Sequence, residues 1–235
     1  MMAFLGNILG GLLRFIYNLV SNIGAEPEIF SFYAMSIIIT TIVFKLLILP
    51  LNIKQINSTK KMSELQPQMQ EIQTKYKNDP QTQQAKLQEL YKTHNFNPAA
   101  GCLPLLIQMP ILFAFLALFR EPTKYAFTDP GFYESMNKTL LWITNLDNPD
   151  PNLWGLPLLA ALTTYFQSKV MAPPNADSQA ASTQKTMSYF LPIMIFISAR
   201  NFPAGLALYW VISNTFTIVQ HLISNRSLGK IKEEE

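Results

Sequence analysis

The residue with the most chemistry to explain is Lys45, a cation inside the apolar run 29–53. Placing a lysine at the centre of a membrane-spanning helix costs on the order of 2.5–3.5 kcal/mol on insertion scales. Lys45 precedes Lys54 by nine residues, roughly 13 Å at the helical rise, and a lysine stem covers only about half of that distance. No apolar run of the chain contains Asp or Glu, so an ion pair inside the bilayer is not written in the sequence. Two readings follow: an ammonium hydrated in a water-filled cavity, or one that snorkels beside a thinned bilayer. Further polar residues sit in the other apolar runs. Thr41 lies one turn from Lys45, Gln108 stands between Ile107 and Met109, and Thr163, Thr164 and Gln167 share one run. Trp210, Asn214, Thr217 and His221 fall on one helical face. Singly, each serves as an interhelical hydrogen bond. Together with one unpaired cation they suggest a common polar lining.

Catalytic patterns are missing. The apolar runs hold no aspartate pair, no His-Glu-x-x-His metal motif occurs, and no phosphate-cradling glycine loop is present. Ser213 and His221 would have to meet across turns to make a hydrolytic pair. Cys102 is the single cysteine, which excludes an internal disulfide and a thiolate metal cluster. The expectation is a protein that is not an enzyme and needs no cofactor and no metal. Net charge is +3, without a basic tract interleaved with aromatics, so nucleic-acid binding is not expected.

The elements that must position these residues follow from the distribution of charge. The chain is 49% hydrophobic and 14% charged, against roughly a quarter charged in soluble domains. Most of the charge falls in 54–98 and 120–150. Five apolar spans are expected at about 29–53, 101–119, 153–171, 187–199 and 204–223, of which 187–199 is short. Pro50 is expected to kink the end of the first. Residues 3–23 carry Phe4, Ile8, Leu12, Phe15, Ile16, Leu19 and Ile23 at helical spacing, with Asn7, Arg14, Asn18 and Ser21 opposite. That pattern predicts an amphipathic helix lying in the membrane interface, or a short span, within a unit 1–26.

Residues 54–98 hold seven lysines against four acids. Met62, Leu65, Met69, Ile72 and Tyr76 form one helical stripe, and Leu87, Leu90, Tyr91 and His94 a second. Asp79-Pro80 between them has the pattern of an N-cap and a first helical residue. A two-helix hairpin in water is expected, with Pro67 kinking or splitting its first helix. Lysine and arginine are richer in 54–98, 172–186 and the tail after 224 than in the N-terminus, 120–152 and 200–203. The first set is therefore expected in the cytoplasm, with the N-terminus outside and the C-terminus inside. The lack of a secretory or organellar leader pattern favours a bacterial plasma membrane.

Three blocks then become recognisable: KLLILPLNIKQ at 45–55 followed by LQP at 65–67, NPAAGCLPLLIQMPILFAF at 97–115, and FPAGLALYWVISNTFTIVQ at 202–220. In this order, around a charged hairpin, they resemble the YidC/Oxa/Alb family of membrane protein insertases over about 30–226. The resemblance implies an all-α integral membrane core, 27–235, of five transmembrane helices around a hydrophilic groove that opens to cytoplasm and lipid. It implies a groove that binds the client near Lys45, Thr41, Tyr209 and Trp210. Gln108, Gln167 and Asn214, polar residues of the apolar runs noted above, are expected to line the same groove. The family's usual groove cation is arginine. Lysine at 45 keeps the charge and loses the bidentate fork. Implied partners are nascent membrane proteins and the lipid bilayer, with a Sec translocon and the ribosome as candidates. The chain resembles the short bacterial form without a large extracytoplasmic domain, and its short acidic-ended tail differs from the long basic tails of other members. The rival reading is a small-solute or anion transporter or channel, which would also use one intramembrane lysine but more often shows internal repeats. None is seen.

Overall fold

The computed structural model describes residues 2–97, 103–171 and 179–233 of the 235-residue chain. It is all-helical, and among the described residues no β-strand forms; Phe30, Leu140 and Ile143 make only isolated bridges. In chain order the long helices are α1 (Met2–Ser21), α2 (Phe32–Leu47), α3 (Leu49–Lys75), α4 (Pro80–Thr93) and α5 (Leu103–Arg120). Two single turns follow, α6 (Pro122–Tyr125) and α7 (Phe132–Ser135), then α8 (Leu156–Met171), α9 (Gln179–Ala199) and α10 (Ala204–Glu233).

Connectivity gives the bundle two ends. The segment 121–155 and the α9–α10 turn lie at one end, called here the loop end, and the α3–α4 hairpin lies at the other. Packing differs along this axis. The main apolar core is built from the loop-end halves of the helices: Phe32, Tyr33 and Ile37 of α2, Phe115, Leu118 and Phe119 of α5, and Leu206, Leu208 and Tyr209 of α10. α1 adds Leu9, Leu13, Ile16 and Val20 to the same core. Ser31, Ser36, Lys138 and Asp150 are buried polar residues of the loop end, and a second group lies further toward the hairpin: Thr40, Thr41, Lys45, Thr164, Ser213, Asn214 and His221.

α1 has two apolar faces. One is buried in the core, and Phe4, Ile8, Phe15 and Leu19 remain exposed. Residues 3–21 are long and apolar enough to cross a membrane. On the expected polar face Arg14 pairs with Asp129 of the loop, while Asn7 and Asn18 stay exposed. Gly10 allows the close approach, since a Cβ there would stand 2.0 Å from the Tyr125 carbonyl oxygen.

The expected 29–53 span is two helices that meet at Ile48 with a bend of 63°. Pro50 sits in the first turn of α3, where its missing N–H is harmless and its ring resists continuation from α2. Pro67, by contrast, does not split its helix: α3 runs through it to Lys75. One lost backbone bond is tolerated there because the face around it packs, with Leu65 and Met69 buried against Phe96 and partly buried Leu87, Leu90 and Tyr91. The helix that carries the hairpin's first stripe begins at Leu49. By length and composition, α1 and Ala204–Ser224 of α10 are candidate spans among the described residues, with the bent α2–α3 pair as a third. Ile107–Arg120 and Thr186–Ala199 are apolar but shorter. Gly101 and Cys102, expected in the second span, lie outside the described residues.

Candidate functional site: a polar seam below the apolar core

α10 organises the site by turning successive residues toward three neighbours. Toward α2, Thr217 Oγ1 accepts from Lys45 Nζ at 3.2 Å and donates to the Ser213 carbonyl at 2.9 Å. Lys45 is only 5% exposed, and among the described residues no carboxylate contacts it. The hydroxyl proton of Thr217 is committed to its own helix, so its lone pairs face the ammonium. One neutral acceptor leaves two of the three ammonium donors for other partners.

Toward α8, Trp210 Nε1 donates to Thr164 Oγ1 at 2.9 Å. The Asn214 amide satisfies its neighbours in one orientation, with its nitrogen on Gln167 Oε1 at 2.6 Å and its oxygen accepting from Trp210 Nε1 at 3.1 Å. Toward α5, Gln108 Nε2 donates to Tyr209 Oη at 3.2 Å. The Tyr209 ring stacks on Phe115 at 3.8 Å between centroids, so this tyrosine marks the boundary between apolar core and polar seam. Thr41 is fully buried one turn before Lys45, and its hydroxyl donates to the Ile37 carbonyl at 2.7 Å.

The expected lining therefore divides. Lys45 pairs with Thr217, while Gln167, Trp210 and Asn214 form a separate network with Thr164. Gln108 and Tyr209 form a third pair, and Thr41 turns back on its own helix. α10 joins the first three groups, and Thr41 lies outside them. Buried Thr40 Oγ1 and Gln220 Nε2 have no hydrogen-bond partner among the described residues. Nearer the hairpin, Asn52 Nδ2 approaches Gln220 Oε1 at 3.5 Å and Lys60 Nζ donates to the Ser224 carbonyl at 3.2 Å.

Two features escaped the sequence reading. Lys169, near the hairpin end of α8, lies 5.4 and 5.0 Å from the centroids of Tyr165 and Tyr189. The i, i+4 spacing of Tyr165 and Lys169 was the available signal. The loop end is the second. Lys138, 9% exposed, meets Asp147 at 3.0 Å and sits 3.8 Å above the Tyr133 ring. Tyr133 also donates to Asp147, and its hydroxyl lies 3.2 Å from that of Tyr33. Burial, the neighbouring Tyr33 and the bond to Asp147 raise the Tyr133 phenol far above its ordinary range, fixing it as a neutral donor. Among the described residues no group of His, Cys, Asp and Glu is arranged to hold a metal ion.

Residues 26–232 match the family model described as 60Kd inner membrane protein. The chain is 40% identical over 214 residues to membrane protein insertase YidC 2 of Listeria innocua, covering 86% of this chain and 67% of that protein. It is 38% identical to the membrane protein insertase YidC of Clostridium perfringens, covering 95% of this chain and 93% of that one. It is 44% identical to the membrane protein insertase MisCA of Bacillus subtilis over 86% of this chain and 74% of the relative. A crystal structure of an active YidC insertase superimposes with a TM-score of 0.60 at 26% identity. The match covers 90% of this chain and 45% of the solved one, so this chain spans less than half of that protein's length.

Proposed function

Given that the chain belongs to the 60Kd inner membrane protein family, whose relatives named above are membrane protein insertases, we propose that it inserts membrane proteins passively. The polar seam along α10 receives the client's polar flank. The carrying observation is Lys45: a cation with little exposure, one hydroxyl partner and no carboxylate contact among the described residues. A buried charge so poorly compensated is costly unless water or an anionic visitor completes it. Orphaned Thr40 Oγ1 and Gln220 Nε2 favour a hydrated seam for the same reason.

The steps need no cofactor. A client with an apolar segment and a short acidic flank approaches from the hairpin end, taken as cytoplasmic. The flank enters beside Lys45, and the apolar segment moves along the lipid-facing surfaces of α5 and α10. Burial in lipid releases roughly 25 cal/mol per Å² of apolar surface. The membrane potential adds ~2.3 kcal/mol per acidic charge per 100 mV for outward movement. The proposed arrangement is five spans with α1 lying in the interface, in a bacterial plasma membrane, N-terminus outside; a crossing α1 would make six spans and put the N-terminus inside. A Sec translocon and the ribosome are candidate partners in the cell.

The test is insertion of matched single-span clients, with acidic or neutral flanks, into proteoliposomes of fixed potential and protein level. Lys45→Arg retains most activity because it keeps the charge. Lys45→Ala folds at least as well, since it removes a costly buried cation, but inserts acidic-flanked clients poorly. Lys45→Glu is worse still for those clients, and neutral flanks are affected least. Full insertion of every client by Lys45→Ala would make the lysine structural and the electrostatic step untenable. Solute flux through the same vesicles without client would instead support an anion pathway.

A further inference from the structure

The loop end holds a cavity of about 550 Å³ between the end of α5, the segment 122–149 and the α9–α10 turn. Its charged lining is balanced: Arg120 and Lys138 face Glu134 and Asp147. The balance is not uniform. Lys138 and Asp147 are closed on each other at 3.0 Å. Arg120 and Glu134 make no ion pair among the described residues and are exposed at the cavity. One free cation and one free anion in one cavity match a ligand that carries both signs.

A second observation gives that ligand a tail. The Arg120 guanidinium sits 5.9 Å from the centroid of the Phe202 ring. The same Phe202 borders an apolar crevice of about 50 Å³ among α5, α8, α9 and α10, lined also by Leu112, Ala160, Ile195 and Ala207. Phe202 thus stands beside the Arg120 of the charged cavity and also lines the apolar slot among four helices. Polar head next to apolar slot, at the end of a membrane helix bundle, is the layout an amphiphile requires.

We propose that the loop end holds one zwitterionic phospholipid of the adjoining leaflet. Its phosphate lies on Arg120, its ammonium at Glu134, and the start of one acyl chain enters the crevice beside Phe202. Guanidinium suits phosphate because two parallel N–H donors meet two oxygens. Glu134 sets the choice of headgroup, since an anionic lipid without an ammonium would leave that carboxylate facing a like charge. The crevice is short, so it selects for the presence of a chain and not for its length. A lipid at this place fills the loop end without engaging Lys45, and it is independent of the insertion step.

The experiment is native mass spectrometry of the full chain in detergent, titrated with phosphatidylethanolamine or phosphatidylglycerol. The parent retains phosphatidylethanolamine severalfold better. Arg120→Gln loses affinity for it by about tenfold, the scale of one charge-assisted bidentate contact, while Arg120→Lys loses less. Glu134→Gln abolishes the preference between the two lipids and leaves phosphatidylglycerol bound. Arg120 and Glu134 are exposed, so an unchanged melting temperature accompanies these losses. Four outcomes would overturn the assignment. Equal retention of both lipids by the parent removes the role of Glu134, and unchanged binding by Arg120→Gln removes the phosphate contact. Free phosphoethanolamine competing as strongly as the whole lipid removes the crevice, and displacement by an acidic peptide would make the cavity a client site instead.

Discussion

The two ends of the bundle are built on opposite principles. At the loop end, irregular chain caps the helices one after another. Glu26 Oε1 accepts from the Phe32 amide at 2.6 Å and Ser31 Oγ from Ala34 at 3.2 Å, starting α2. Asp150 accepts from the Leu156 amide at 2.7 Å and from Trp142 Nε1 at 3.0 Å, starting α8. The carbonyls of Asn148 and Leu146 accept from the Ala204 and Gly205 amides at 2.8 and 2.9 Å, starting α10. At the hairpin end, two long arms share a small cluster around Leu65, Met69 and Phe96 and touch α10 through the Asn52 and Lys60 contacts. The contrast teaches how one bundle can be tied together by its chain at one end and held more loosely at the other. Capped amides and apolar contacts knit the first around its charged cavity, while polar side chains with spare hydrogen-bonding capacity occupy the half nearer the second.

The largest effect that sharpens this contrast comes from a matched pair in α1. A Cβ on Gly10 would meet the Tyr125 carbonyl oxygen at 2.0 Å, whereas one on Gly11 would meet nothing within 4 Å. Gly10→Ala should push α1 off the loop end and cost about 3 kcal/mol, the upper part of the overpacking range. Gly11→Ala should add up to about 1 kcal/mol through helix propensity alone. Thermal or denaturant unfolding of the purified protein reads both. Equal, small effects would mean that α1 is not docked against the α6 turn, and the loop end would lose one of its packing contacts.

An intermediate effect separates the ends by local opening. Amides held only within exposed helix exchange through local fluctuations, while those locked by tertiary caps wait for larger openings. Hydrogen exchange should therefore be faster along α4 and the second half of α3 than in α5 or at the capped amides of Phe32, Leu156, Ala204 and Gly205. Comparable protection would show a firmly docked hairpin and would remove its suitability for meeting clients.

How much of this was legible in the sequence depends on the range of each interaction. Asp79-Pro80 announces the start of α4 because an N-cap is made within a few residues, and the stripes through Leu65 and Leu87 announce their mutual packing. The isolated cation at Lys45 stands out because its cost depends only on what its own segment lacks. Its partner Thr217 is 172 residues away, and only a shared helical face with Trp210 and Asn214 hinted at it. The continuity of α3 through Pro67 was not legible, since it depends on packing that offsets the lost bond. Nor was the second apolar face of α1, whose Leu9 and Leu13 find partners only in the folded core. The loop end was read as a charged connection. Its caps join positions far apart in the chain, and no local pattern marks a carbonyl such as Asn148 as the acceptor for Ala204.

The smallest expected effect concerns the start of α4, where the hairpin relies on one cap of its own. The Asp79 carboxylate accepts from the Thr82 amide at 3.1 Å and from its hydroxyl at 2.5 Å. The Thr82 hydroxyl, and then its amide, hold the Asp79 carboxyl below its ordinary value of 3.8. A carboxyl depressed by folding supports the folded form above its unfolded value and loses that support as pH falls through the lowered one. The first turn of α4 should therefore loosen as the solution is taken below about pH 4, with the loop-end caps of α10 unaffected because they are backbone carbonyls. Asp79→Ala should show the loosened state already at neutral pH, whereas Asp79→Asn keeps an acceptor and removes this titration. A residual acid response in Asp79→Asn is expected from Glu89, whose carboxyl is also lowered by its bond to Lys86. Exchange of the Thr82 amide against pH, compared among the three proteins, is the measurement. If the parent and Asp79→Ala gave the same profile, the cap would contribute nothing, and α4 would be held by its contacts with α3 alone.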